Sequence, residues 1–193
     1  MKINLLAPLL LVPSLVYFVI QLARKKSGWE AARALGWALP SWRDLGEAAL
    51  VLLVLAAVAS VAFRLTPPGA LQGENMNTEA YEGWSRNLSS LALIFLLELV
   101  NRALPEEVFF RGWLGGWLVR RLGFWVGNTL QALVFLLPHL MLLTLTLALW
   151  PITVVQFMAG WLQGWLRWRS GSVIPSTLVH TITNVLRPLP FLG

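Results

Sequence analysis

The sequence predicts an all-α fold: a polytopic helical integral membrane bundle of about six to seven membrane helices. Three observations carry this. Of 193 residues, 57% are hydrophobic and 12% are charged, about half the charged share of an ordinary soluble domain. Leu-rich apolar runs long enough to cross a bilayer recur along most of the chain. Basic residues gather at the ends of those runs, a membrane-topology pattern rather than a docking face, so the net charge of +6 does not point to nucleic acid. Cysteine is absent, which excludes disulfides, thiolate metal sites and a cysteine nucleophile.

The elements follow in order. Leu5 to Ala23 is a first span, with Pro8 and Pro13 as kink points. Arg24, Lys25 and Lys26 follow it in place of a small-residue cleavage site, so it reads as a retained anchor. Residues 24–44 mix basic side chains with Trp29, Trp37 and Trp42, the pattern of a short amphipathic helix at the interface. A second span covers about 45–65 and ends at TPPG. Residues 69–87 are polar and acidic and read as a loop. A third apolar run spans about 88–104, and Pro105 is expected to open a new helix over 106–121. Further spans cover about 125–149, 151–168 and 172–190. Two GxxxG spacings, Gly112 with Gly116 and Gly160 with Gly164, suit close helix packing, although glycine is also simply frequent in membrane helices. The expected organisation is one membrane domain. Residues 1–87 supply N-terminal helices, an interfacial segment and an external loop, and residues 88–193 supply a helical core. Residues 24–43, 102–121 and 167–169 hold eleven of the fifteen basic residues, so the positive-inside rule places these segments in the cytoplasm and 67–86 outside.

Polar residues inside such a bundle are functional candidates: Glu98, Asn101, Arg102, Glu106, Glu107, Arg111, His139, His180 and Asn184. Glu107 and Arg111 stand at i and i+4, acid first, the favourable order for an ion pair on one helix face. Glu106 points about 100° away from that pair, an unpaired carboxylate of the kind that serves as a general base. His180 and Asn184 repeat the i, i+4 spacing, and His139 follows a proline in FLLPH. A neutral imidazole and an amide are donors suited to a developing oxyanion. Glu98, Asn101 and Arg102 are one turn apart and read as a structural cluster near the interface.

Three motifs in order, EExxxR in PEEVFFRG, FxxxH in FLLPH and HxxxN in HTITN, resemble the CAAX protease and bacteriocin-processing family, also called CPBP or Abi. The similarity covers about residues 88–187 and implies that the helical core is catalytic, in an intramembrane endopeptidase. By resemblance, Glu106 and His139 activate water, His180 and Asn184 stabilise the oxyanion, and Glu107 with Arg111 forms the supporting ion pair. The family has been described both as glutamate-dependent and as metal-dependent. Without thiolates or an HExxH pair, metal-free catalysis with no cofactor is favoured, and the alternative is a zinc site of Glu106, His139 and His180. The partners implied are a membrane-associated protein or peptide substrate and the lipid bilayer, with the site facing the cytoplasm from the plasma membrane. A non-catalytic immunity or scaffold protein is the main rival, and a proton-relay transporter is the third reading.

Overall fold

The structure is a computed structural model that describes residues 6–71, 81 and 83–187. Those residues form helices joined by turns, with no strand among them. α1 is Leu6–Ala23, α2 Gly28–Ala34, α3 Trp42–Leu65 and α4 the continuous stretch Leu88–Leu122. α5 is Phe124–His139, α6 the short Leu142–Leu145, α7 Trp150–Ser170 and α8 Ile174–Leu186. Among the described residues, three stretches are long and apolar enough to cross a membrane: Trp42–Leu65, Leu88–Leu122 and Phe124–Leu145. Large apolar side chains on α1, α3 and α5, such as Leu15, Leu53 and Leu137, point outward. Glu107, Arg111, Gln131 and Gln163 are buried inside. An apolar exterior around a polar interior is the arrangement a bilayer stabilises.

Local sequence sets the helix ends. Ser27 and Ser41 are N-caps, and each forms a capping box with the acid three residues on, Glu30 or Asp44. Trp29 and Trp42 around α2 are exposed, as befits indoles at headgroup depth. Pro151 lies in the first turn of α7, where its missing N–H costs nothing.

Two stretches depart from the sequence expectation. Pro105 does not open a helix; it lies inside α4, which runs unbroken through residues 88–122. The chain accommodates the ring by winding Leu99–Ala103 as a π turn, with the Leu104 N–H bonded to the Leu99 carbonyl. That wider turn relieves the clash a proline makes with the carbonyl four residues back. The expected 106–121 helix is therefore the second half of one helix, and Arg102 and Arg111 lie along its length rather than in a loop. The single helix expected over 125–149 is regular only to His139; a turn and α6 carry the apolar stretch to Leu145, and a 3₁₀ turn at Leu147–Leu149 follows. Thr146 is extended there and breaks the helix. Most of the polar loop at 69–87 and the end of the 172–190 span lie outside the described residues, as does Leu5.

Packing centres on α7, which meets α3, α5 and α8. Ala48, Val51 and Leu55 of α3 close on Leu166 of α7 and Val179 of α8. The glycines permit near approach. A Cβ at Gly112 would lie 2.5 Å from the Leu35 carbonyl oxygen, and one at Gly164 would lie 1.9 Å from Asn128 Oδ1. The close-packing reading of both GxxxG spacings therefore applies. Gly36 has φ +92° and brings its carbonyl to the Val173 N–H at 2.9 Å. With Ser172 Oγ donating to the Ala38 carbonyl and Arg169 paired to Glu47 at 2.7 Å, these bonds gather residues 34–47 and 167–173 at one basic end of the bundle.

At Gly127 a helix crosses against backbone: a Cβ there would lie 2.7 Å from backbone atoms of Leu118 and Val119. Backbone cannot yield as a side chain can, so Gly127→Ala is expected to cost about 1–3 kcal/mol. Gly46→Ala, on α3 with nothing within 4 Å, should be neutral or stabilising. Thermal unfolding in detergent micelles compares the two; equal melting temperatures would contradict the packing described.

Candidate active site

The site is built from α4 outward. The helix is wound as π turns again over Val108–Gly115, directly after the two glutamates. Glu107 Oε1 forms an ion pair with Arg111 Nη1 at 2.9 Å, and neither side chain is exposed. Arg111 then reaches two other helices. Its Nη2 donates to Gln163 Oε1 of α7 at 2.7 Å, and its guanidinium lies 4.2 Å over the Phe135 ring of α5. Ser14 of α1 donates to the Val108 carbonyl at 3.3 Å, which ties α1 to the same segment.

The buried carboxylate holds a second partner. His180 Nδ1, on α8, lies 2.9 Å from the same Glu107 Oε1. An ionised carboxylate only accepts, so Nδ1 carries the proton and Nε2 faces the other way. Nε2 is 3.8 Å from Glu106 Oε2, too long for a direct hydrogen bond and within reach through one small bridging group. Glu106 keeps partial exposure, whereas Glu107 has none. The two neighbouring acids thus differ: one is locked in a double contact and the other is open to a ligand.

His139 ends α5 with its Nδ1 2.9 Å from the Phe135 carbonyl. A carbonyl only accepts, so this nitrogen donates and Nε2 is left as the free lone pair. Phe135 stands beside both imidazoles, with ring centroids 4.8 Å from His139 and 6.2 Å from His180. His139 is within electrostatic reach of Glu106, and no direct bond joins them among the described residues. Asn184 is half-buried one turn beyond His180 and likewise makes no hydrogen bond among the described residues. Glu106, Glu107, Arg111 and His180 are therefore in one constellation, with His139 at its edge and Asn184 on the adjoining turn.

The zinc alternative needs Glu106, His139 and His180 within a common coordination sphere. Among the described residues no group of three or more His, Cys, Asp or Glu side chains is close enough to hold a metal. The three residues do not gather into that donor set.

Several buried polar residues escaped the sequence reading. Asn128, Gln131, Phe135 and His139 fall at helical spacing on one face of α5, a pattern visible in the chain. Gln163, between Gly160 and Gly164, marks the corresponding face of α7. The cluster at Glu98 also differs from expectation. Glu98 pairs with Arg102 at 3.5 Å and accepts from the Tyr81 hydroxyl at 2.5 Å, while Asn101 takes no part. Tyr81 comes from the loop, too far along the chain for helical spacing to reveal it. Burial, and then the bond to Glu98, push its phenol well above the usual range.

Because Arg111 is the only Lys or Arg paired with the buried Glu107 among the described residues, Arg111→Met is expected to cost about 3–5 kcal/mol. Adding Glu107→Gln should recover most of that loss by removing the stranded charge. A double-mutant cycle read by unfolding in micelles tests this, and additive losses would show that the two charges are not coupled.

The site's helices coincide with a sequence family. Residues 88–186, from the first residue of α4 to the last of α8, match the family model described as type II CAAX prenyl endopeptidase Rce1-like. Neither curated proteins nor solved structures gave a significant match. With the model covering half of the chain and the buried motif residues on the helices it spans, this integral membrane protein belongs to the Rce1-like type II CAAX prenyl endopeptidases, a family of intramembrane endopeptidases.

Proposed function

We propose that this protein hydrolyses peptide bonds of membrane-associated proteins or peptides with water activated by Glu106 and His139. The observation that carries the reading is the placement of His180 between two unlike carboxylates, one sealed and one accessible. Glu106, assisted by the free Nε2 of His139, takes a proton from water as its oxygen attacks the scissile carbonyl carbon. The carbonyl oxygen becomes an oxyanion, which receives hydrogen bonds from His180 and Asn184. Because Nδ1 already donates to Glu107, His180 serves as a donor at Nε2 in its imidazolium form, with Glu107 as counter-ion. The C–N bond then breaks, and the proton held at Glu106 passes to the leaving amine. Glu107 and Arg111 fix the imidazole in place, and the apolar surroundings strengthen every polar contact in the site.

A purified-protein assay on a panel of quenched peptides tests the chemistry. Glu106→Ala and His139→Ala should each lower cleavage by about 100-fold or more, and Asn184→Ala by about 100-fold, all with unchanged melting temperature. A chelator should leave the rate intact. Full activity in Glu106→Ala would overturn the mechanism, loss on chelation restored by zinc would replace it with a metal-dependent one, and no cleavage by wild type across the panel would favour a peptide-binding role.

The orientation proposed is the plasma membrane with the basic end in the cytoplasm, which follows from the charge bias. The chain has no cysteine, so Arg121→Cys creates a single reporter. A membrane-impermeant maleimide should label it only after permeabilisation; labelling in intact cells would invert the topology.

A further inference from the structure

A cavity of about 190 Å³ lies among the end of α4, the start of α5 and the end of α7. Its wall includes Arg111, Arg120, Arg167, Asn128, Gln131 and Trp168, but none of Glu106, His139, His180 or Asn184. The chemistry proposed above does not use it. It is several times the share of liquid volume that one water occupies, about 30 Å³.

The wall has cations and amides but no acid. Arg111 is occupied by Glu107 and Gln163. Arg120 and Arg167 are near enough to repel one another, and neither forms an ion pair among the described residues. Arg167 Nε is buried with no partner, and Nη2 meets only the Ala34 carbonyl at 3.5 Å. Gln131 is wholly buried and neither of its amide atoms has a partner. Gly164 leaves the room it occupies, since a Cβ there would lie 2.7 Å from Gln131 Oε1. Buried polar atoms are almost always bonded, so an unpaired amide beside two uncompensated guanidiniums marks a place for a ligand. A cation would be repelled, and a neutral group would leave both arginines unbalanced. An oxyanion with several acceptor oxygens answers Arg120, Arg167 and the Gln131 NH₂ together. Gln131 Oε1 then remains for a hydroxyl donor.

The setting narrows the source. Trp168 stacks on Phe124 at 4.3 Å, and Trp117 and Trp125 are exposed on adjoining turns. Exposed indoles beside arginines are found at headgroup depth, where basic pockets between helices meet lipid phosphates. We propose that this cavity binds a phosphate oxyanion, carried by an anionic lipid headgroup or by a soluble phosphate with the same chemistry.

The full chain in neutral detergent, titrated with dihexanoyl phosphatidylglycerol, inorganic phosphate and phosphate-free dihexanoylglycerol, tests this independently of any peptidase assay. Saturable binding of phosphatidylglycerol is expected, with Arg120→Gln and Gln131→Leu each weakening it about tenfold. Arg121→Gln removes the same charge one residue away, outside the cavity, and should change nothing. Competition by inorganic phosphate would assign the site to soluble phosphates as well; binding without competition would assign it to the lipid headgroup. Equal binding of dihexanoylglycerol, equal weakening by Arg121→Gln and Arg120→Gln, or no saturable binding of either phosphate probe would overturn the proposal. Should Gln131→Leu fail to fold, the exposed Arg120 decides the matter.

Discussion

The fold depends on one buried contact, the Glu107–Arg111 ion pair. A carboxylate and a guanidinium with no solvent exposure need partners inside an apolar bundle, and even here Glu107 Oε2 and Arg111 Nε make no hydrogen bond among the described residues. The partners come from four helices. α4 supplies both ions, α7 the Gln163 acceptor, α5 the Phe135 face, and α8 the His180 ring. A shift of α5, α7 or α8 along its axis would break one of these contacts to the pair. A pair of this kind adds little net stability compared with apolar residues of similar volume; what it contributes is register, because mispaired arrangements are far worse than the correct one.

Glycine and the π turns make that register possible. The broad turns of α4 let a helix containing Pro105 continue through the bundle without a break. The α-helical turn between them sets two glutamates, adjacent in sequence and about 100° apart, in different surroundings, one against Arg111 and one against the open side of His180. Gly160 and Gly164 then allow α7 to come near enough for Gln163 to reach the guanidinium. Helix contacts in lipid rest on this kind of close packing because burial from lipid adds little. The polar interior is therefore assembled by small residues as much as by the charged ones.

At the basic end a different logic holds. Arg169 has a carboxylate partner in the half-buried Glu47, and Arg167 has none among the described residues. Two arginines of the same helix turn thus differ in kind: one is balanced at the surface and one is turned toward a cavity. Exposed indoles, Trp117 and Trp125, stand beside that end of the bundle.

Much of this was legible in the chain. The hydrophobic runs and their basic ends pointed to an all-α membrane bundle, because periodicity and charge act locally. The i, i+4 spacing likewise separated Glu107 with Arg111 from Glu106. Tertiary structure alone decided the rest. That His180 binds Glu107 rather than standing free beside Asn184 depends on where α8 crosses α4, seventy-three residues apart in sequence. That Pro105 sits inside a helix depends on a π turn held by packing, against the local rule that proline opens a helix. That Tyr81 meets Glu98 depends on how a loop returns to the bundle. Spacing along one helix is fixed by backbone geometry and can be counted. Contacts between helices are fixed by which side chains leave room and which charges would otherwise be stranded, and only the folded chain brings those together.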